Sequence, residues 1–445
     1  MRNLLFFLLL GMSAFASVQE ERSKSNHQFH QKLYDYYNVQ PGLKPPTLQT
    51  MTGDWNGART YLENHGVEIN SSFVSDNVGN PVGGEARGFT YTGSFGVGLG
   101  IDFGKAAGWT GTKFYGSAVW RTGTNLSRTK IHNQFTVQQV YGSQTVKLNE
   151  LYLQQALWSG TMIAKAGRLD AGNDFLASPL YGQFVNNAFD GNPVAVFNNF
   201  ASFTAYPNAS WGAYLAIYPI SQLIFKFAVY NANSHIFLNK YHGINFTLES
   251  TNGVIWITEW AWVPNQNRGD TGLPGNYKVG FFYQTGAATV FSTNTPTNGD
   301  YCGYILFDQM IYRPNGPGTE EGLTPFIALL FAPENRNLFP FFCTAGLVYR
   351  GLIQGRPRDT TNFGVAYGHY SSEREAVQRS ARKSGLIGPF GNRPQSAETV
   401  LEFNHWFQIN DWFTFTPDVQ YVINPKGYGT IPNALVVGAQ IGMTL

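Results

Sequence analysis

From Val67 onward, apolar side chains recur at every second position. Val67, Ile69 and Phe73 alternate with Glu68, Asn70 and Ser72. In the next stretch Phe89, Tyr91, Phe95, Val97, Leu99 and Ile101 alternate with Thr90, Thr92, Ser94, Gly96, Gly98, Gly100 and Asp102. A period of two marks extended chain with two unlike faces. A strand this long, apolar on one face and small or polar on the other, suits lipid outside and water inside. A soluble sandwich uses shorter strands.

The pattern predicts strands near 67–76, 88–103, 110–122, 146–158, 161–169, 211–219, 222–231 and 253–263. It continues near 276–285, 300–313, 322–333, 341–351, 361–371, 396–409, 411–423 and 432–445. The total is about 16, an even number, as bacterial barrels require. Connections after the second, fourth, sixth and fourteenth strands are tight; those after the third, fifth, seventh and thirteenth are long. Short periplasmic turns opposite long outer loops give that alternation. The last strand carries Leu435, Val437, Ala439, Ile441, Met443 and Leu445 on one face. Ending on a strand closes the barrel and leaves no open edge in lipid. The fold class is all-β: a transmembrane antiparallel β-barrel of about 16 strands over residues 67–445, with a short N-terminal helix.

A helical period shows clearly once in the rest of the chain, within 51–66, where Trp55, Ala58 and Leu62 share a face. Thr52 or Asp54 can cap its start, and Gly66 supplies a left-handed stop. Placed before a run of strands, this helix could seal the periplasmic end. Earlier still, Arg2, the run Leu4–Leu10 and Ala14-Phe-Ala16 read as a secretory signal peptide over 1–16, cleaved after Ala16. Residues 17–50 are polar and broken by Pro41, Pro45 and Pro46, which suits a flexible periplasmic lead-in.

Composition agrees with a barrel in the bacterial outer membrane. Charged residues make up 13% and aromatic ones 16%, with 49 Gly, against the roughly 25% charged of a soluble protein. The net charge of +2 gives no basic field for nucleic acid. Cys302 and Cys343 lack ligand spacing and read as buried thiols. His27 and His30 have no further ligands nearby. With no phosphate loop and no GxSxG elbow, the chain offers no catalytic set, no metal site and no cofactor site. Even pairs such as Glu398 and Glu402 read as lumenal charge.

Several stretches resemble one family. Met51-Thr-Gly-Asp-Trp-Asn-Gly-Ala-Arg-Thr60, with Leu62 and Gly66, resembles the opening motif of the OprB-type carbohydrate-selective porins. Glu150-Leu-Tyr-Leu-Gln-Gln155 with Gly167-Arg-Leu-Asp170 is similar to their central strand pair. Asp308-Gln309, Gly346–Gly351 with Gly355-Arg356, and Pro417–Pro425 followed by Asn433-Ala434 extend the match to nearly the whole mature chain. The resemblance implies an outer-membrane porin passing monosaccharides such as glucose by passive, selective diffusion. It also implies that the long loop after Arg168 folds inward to narrow the pore. Two departures stand out: Leu445 where an aromatic is usual, and Asn56 in place of a Gly, a change a helix should tolerate. Some chlamydial relatives are associated with arginine uptake, so the fold does not name the solute.

Sugar recognition calls for donors and acceptors directed at hydroxyls and for aromatic faces, held weakly enough to release the solute. Leu151, Leu153 and Leu157 share one phase, which turns Glu150, Tyr152 and Gln154 to the lumen. Arg168 ends the next strand, and Asp170 and Asp174 follow, with Phe175, Tyr181, Phe184 and Phe189 in the loop. The expectation is that Arg168, Glu150 and Asp170 lie at the constriction, with Tyr152, Gln154, Asp174 and Arg121 contributing. Against it stands an Arg168–Asp170 ion pair that only pins the loop. Lys226, Asp308, Glu402, Asp418 and Gln420 share the lumen phase of their strands, while the faces of the strand around Glu259 stay undecided between Ile255/Ile257 and Trp256/Trp260. Trp109, Trp158, Trp262 and Trp412 fit aromatic girdles. Lumen-phase carboxylates Glu68, Glu150, Glu398, Glu402 and Asp418 keep open a porin for a cationic amino acid such as arginine, or for polar solutes in general. The partners are thus a small solute and the lipid bilayer. Periodicity leaves monomer and homo-oligomer equally open.

Overall fold

A computed structural model of the chain describes residues 50–141, 143–249, 253–267, 269–386 and 393–445. The signal peptide, its cleavage site, nearly all of the lead-in and the His27/His30 pair lie outside the described residues. Sixteen strands follow one another round a closed barrel, each antiparallel to its neighbours. They are β1 Val67–Val82, β2 Gly88–Asp102, β3 Thr112–Gly123, β4 Thr145–Leu157, β5 Met162–Leu169, β6 Ser210–Ile220, β7 Leu223–Asn231 and β8 Val254–Trp262. Then come β9 Gly275–Thr289, β10 Pro296–Gln309, β11 Gly322–Phe331, β12 Phe341–Arg350, β13 Thr360–His369, β14 Ala397–Gln408, β15 Phe413–Ile423 and β16 Ala434–Thr444. Closure comes from β16 lying along β1, with Ser72 opposite Thr444 and Asp76 opposite Gln440. That is the pairing expected of a final strand in lipid.

The expected strands are all present, with two hairpins longer than the pattern implied. β1 runs on to Val82 through Asn77-Val-Gly-Asn-Pro-Val, a stretch whose Gly, Asn and Pro read locally as a turn. Pairing with β2 overrides that reading, and the Asn80 side chain ties the true turn by donating to the carbonyls of Gly83 (2.8 Å) and Ala86 (2.9 Å). Among the described residues, the longest helix that was not expected is Ser372–Lys383, between β13 and β14. It has no apolar stripe to announce it, yet its ends carry ordinary signals. The Ser371 hydroxyl accepts from Arg374 N, Glu373 and Glu375 occupy the first turn, and Arg382 and Lys383 the last.

The N-terminal helix spans Ala58–Asn64, and its residues stay out of any core. The Asp54 carboxylate accepts from Thr60 N (2.9 Å) and the Thr60 hydroxyl (2.7 Å). Arg59 reaches the Leu445 carbonyl at 3.2 Å, and Met51 N donates to the Thr444 carbonyl at 2.9 Å, tying this segment to the end of β16. Asn56 does not sit in the helix. It precedes it at φ 56°, a left-handed conformation that explains why Gly suits the position and why Asn can replace it.

Trp109, Trp158, Trp262 and Trp412 all fall at one rim, the one with the short turns. The long connections 124–144, 170–209, 232–253 and 370–396 crowd the other. Cys302 and Cys343 are free thiols.

The interior departs from a simple apolar-out, polar-in barrel. Ile255, Ile257, Phe282, Cys302, Tyr304, Leu306, Phe326, Ala328 and Leu330 are buried on the inward phase of β8–β11. Their partner inside is a loop rather than water. This settles the undecided strand: Glu259 faces in beside Ile255 and Ile257, while Trp256, Trp260 and Trp262 are exposed on the outside.

Candidate pore-lining site

The connection 170–209 between β5 and β6 packs against the inner wall. Phe175, Phe184, Phe189, Phe200 and Phe203 are buried. Phe200 meets Phe282 of β9 at 4.4 Å between ring centroids, and Phe184 and Tyr181 each meet Phe326 of β11 at 5.6 Å. A second inward segment, 124–144 between β3 and β4, lies against the first. Gln139 N donates to the Val185 carbonyl (2.9 Å) and Asn187 N to the Thr136 carbonyl (2.8 Å). Phe135 packs on Phe339 and Phe342. Only the first of these segments was expected to turn inward.

An irregular loop buried in a barrel must find acceptors for its backbone N–H groups. Here carboxylates of the wall supply them. Glu402 on β14 accepts from Val185 N (2.7 Å) and Asn186 N (3.0 Å). Glu398 accepts from Phe135 N (2.7 Å) and Gln134 N (2.8 Å). Glu259 accepts from Leu176 N (3.1 Å) and Asp76 from Val140 N (3.2 Å). Asp308 accepts from the Ser178 hydroxyl at 3.0 Å. Four of these groups also hold lysines or amides: Lys226 reaches Glu259 at 2.9 Å, Asn276 reaches Asp308 at 2.6 Å, Asn404 reaches Glu402 at 2.8 Å and Gln440 reaches Asp76 at 2.9 Å.

Most of the expected site residues come together where the first loop begins. Glu150 accepts from Asp170 N (3.2 Å) and from the Asn173 side chain (3.1 Å). Asp170 caps the short helix Ala171–Asp174 by accepting from Gly172 N at 2.9 Å. Asp174 pairs with Lys165 at 2.6 Å, and the Lys165 ammonium lies 5.3 Å from the Tyr152 ring and 4.9 Å from that of Tyr214. Gln154 stands on the same inward phase, opposite Lys165 and Lys113. Glu150, Tyr152, Gln154, Lys165, Asp170 and Asp174 are buried. In the loop, burial pushes the Asp170 carboxyl well above the ordinary carboxylate range, and the charge of Glu150 adds to the rise. Burial does the same to Asp190, seconded by Asp76 and Glu402.

Arg168 is placed elsewhere. Across the sheet it faces Leu151 and Trp211, so it lies on the outward phase of β5, away from Tyr152 and Lys165. Only 1% exposed, its guanidinium donates to the carbonyls of Ala209 (2.7 Å) and Asn245 (2.8 Å). It makes no pair with Asp170, whose carboxylate lies beyond the end of β5 and caps the helix Ala171–Asp174. Arg121, on β3, is inward and donates to the Val140 carbonyl at 2.7 Å, with its guanidinium 4.9 Å from the Tyr206 ring. Sequence reasoning passed over Lys165, Asp76, Tyr206 and the role of Glu259. Lys165 was accessible to it, as an inward-phase lysine on the strand beside Glu150 and just before Asp174; Tyr206 was not, because nothing local aims a loop tyrosine at β2.

The inner face left half-exposed is the sector of β1–β3, with Glu68, Asn70, Lys113 and Tyr115, together with Asn173 and Tyr206 of the loop. Tyr206 and Tyr115 lie close over glycines of β2. A Cβ on Gly96 would stand 3.0 Å from the Tyr206 hydroxyl, and one on Gly98 2.9 Å from that of Tyr115.

Residues 86–445 match the sequence family described as carbohydrate-selective porin, OprB family. Porin B of Pseudomonas aeruginosa is 28% identical over 423 residues, covering 89% of this chain and 91% of its own. A putative porin of Acinetobacter baylyi, QuiX, is 23% identical over 408 residues, covering 88% and 92%. Among solved structures, the high-pH structure of Pseudomonas putida OprB superposes with a TM-score of 0.83 at 26% identity, covering 90% of this chain and all of that one.

Proposed function

Because the chain belongs to the OprB family of carbohydrate-selective porins, an outer-membrane porin role is its premise, and we propose that its solutes are small neutral sugars such as glucose. Passage is passive, through water between the inward loops and the β1–β3 sector. The observation that carries this reading is the fastening of segments 124–144 and 170–209 to the wall by buried carboxylates. So fastened, the loops narrow the lumen. Glu150, Asp170 and Asp174 hold the loop base; Tyr152 and Gln154 stand beside them; Arg121 and Tyr206 border the narrow part. Guanidinium donors and tyrosine faces match sugar hydroxyls and ring faces. Arg168 enters as the fastener of the loop's far end, through Ala209.

The same observation weighs against a cation-binding pore. Glu150, Glu398 and Glu402 spend their acceptors on loop N–H groups and amides, so fewer carboxylates are free to hold a cationic solute than their count suggests. Proteoliposome swelling decides the matter. Glucose entering faster than both sucrose and arginine is the expected result; arginine outpacing glucose, or equal slow entry of all three, would defeat it. Arg121→Ala should raise conductance and reduce the preference for glucose over sucrose.

A further inference from the structure

The wall has a gap, and a loop fills it. β5 has 8 residues and stops at Leu169, whereas β4 beside it has 13 and continues up to Thr145. The upper part of β4 therefore lacks β5 as a partner. A tilted strand needs about 9–11 residues to cross the hydrocarbon, so β5 falls short of spanning it. At about 3.3 Å per residue and a tilt of about 40°, Arg168 stands only about 15 Å above Met162, the strand's first residue. The apolar band of such barrels is about 25 Å tall. The gap thus opens at lipid depth, where an unpaired strand edge is untenable.

The connection between β7 and β8 covers it. Leu148 N donates to the His242 carbonyl at 2.9 Å, and the His242 ring nitrogen Nδ1 meets the Val146 carbonyl at 2.9 Å. These are groups that a longer β5 would have engaged. The approach is close enough that a Cβ on Gly243 would stand 2.0 Å from the Leu148 carbonyl oxygen. Further along, the segment's carbonyls are taken by outward-phase side chains: Asn245 O by Arg168 (2.8 Å) and Phe246 O by the Trp211 indole (2.8 Å). Asn233 and Asn231 take those of Thr247 and Glu249. A backbone outside a helix or sheet survives in lipid only when its polar groups are met in this way. On the far side the segment shows apolar groups, with Ile244 61%, Phe246 45% and Leu248 72% exposed. They continue the belt formed by Val146, Trp120 and Leu153.

We propose that residues 244–248 are a lipid-facing patch of the barrel wall, presenting Ile244, Phe246 and Leu248 to the acyl chains of the outer leaflet. Lipid is the occupant that the pattern selects: the patch lies within the apolar belt, below its upper edge, and most of its carbonyls are already engaged. On this view Arg168, a charge on the lipid phase, is tolerated because the patch roofs it.

The test is spin-label accessibility in reconstituted bilayers, with Ile244→Cys and Leu248→Cys each labelled in a Cys343→Ala background, since Cys302 is buried. Heat-modifiable mobility confirms folding of each variant. Leu153→Cys serves as the lipid reference and Thr293→Cys as the aqueous one. Oxygen collisions outnumbering those with a water-soluble nickel chelate severalfold, as at Leu153→Cys, are expected. Chelate collisions dominating, as at Thr293→Cys, would overturn the proposal. So would poor access to both reagents with label–label broadening, which would mean that a second copy of the chain covers the patch.

Discussion

The inner face of β2 and that of β8 are built on the same period and end as opposites. β2 turns Thr90, Thr92, Ser94, Gly96, Gly98 and Gly100 inward, and β8 turns Ile255, Ile257, Glu259 and Ala261 inward. In a water-filled barrel the second set would be a costly exposure of apolar area. It is no such thing, because loop 170–209 lays its phenylalanines over that side and leaves the β1–β3 side open. One half of the wall thus acts as the floor of a core and the other half as the bank of a channel. The lone carboxylate on β8 follows the same logic: Glu259 serves the loop backbone at Leu176 and the Lys226 ammonium.

The most disruptive way to break this asymmetry is to cut a loop anchor. Glu402→Ala leaves Val185 N and Asn186 N without an acceptor, at about 1–3 kcal/mol for each buried unpaired group. Expected results are a marked drop in melting temperature and larger, noisier single-channel conductance; unchanged conductance would show that the loop holds without the anchor. A gentler cut uses one substitution in both halves. A Cβ on Gly364 would stand 2.8 Å from both Phe184 and Phe189 of the loop, whereas one on Gly100 meets nothing closer than 3.7 Å. Gly364→Ala should cost about 1–3 kcal/mol as an overpacked contact. Gly100→Ala should stay within about 0.5 kcal/mol, as at an uncrowded surface site. Equal stabilities would erase the distinction between the two halves.

The smallest expected effect concerns pH. The buried Asp190 carboxyl is raised, so its protonated form favours the fold. Its contribution is fully present below the ordinary carboxylate pKa and is lost as pH rises through the raised one. Asp190→Asn mimics the protonated form. Its melting temperature should equal that of the wild type in acid and exceed it slightly at neutral pH, as thermal unfolding at the two pH values would reveal.

Much of this was legible in the sequence and some was not. Alternation located every strand because a sheet between lipid and anything else needs a two-residue period. It also placed Glu150, Tyr152 and Gln154 on the inward phase. It misled at Asn77–Val82, where local turn chemistry lost to cross-strand pairing, and it was silent at β8, where both faces are apolar. Arg168 shows the limit most plainly. Unbroken alternation along β5 carries it outward with Ala164 and Ala166, and the motif Gly167-Arg-Leu-Asp170 gives no hint that a carbonyl of residue 245 waits outside.

By itself, then, the sequence determined the barrel, its strand number, its closure and the identity of the loop rich in phenylalanine, because each depends on local periodicity and composition. Only the tertiary structure decided which half of the wall is dry, which carboxylates hold backbone rather than solute, and where Arg168 points. Those depend on contacts between residues far apart in the chain, such as Glu402 with Val185 and Arg168 with Asn245, and no local pattern encodes the meeting of two distant segments.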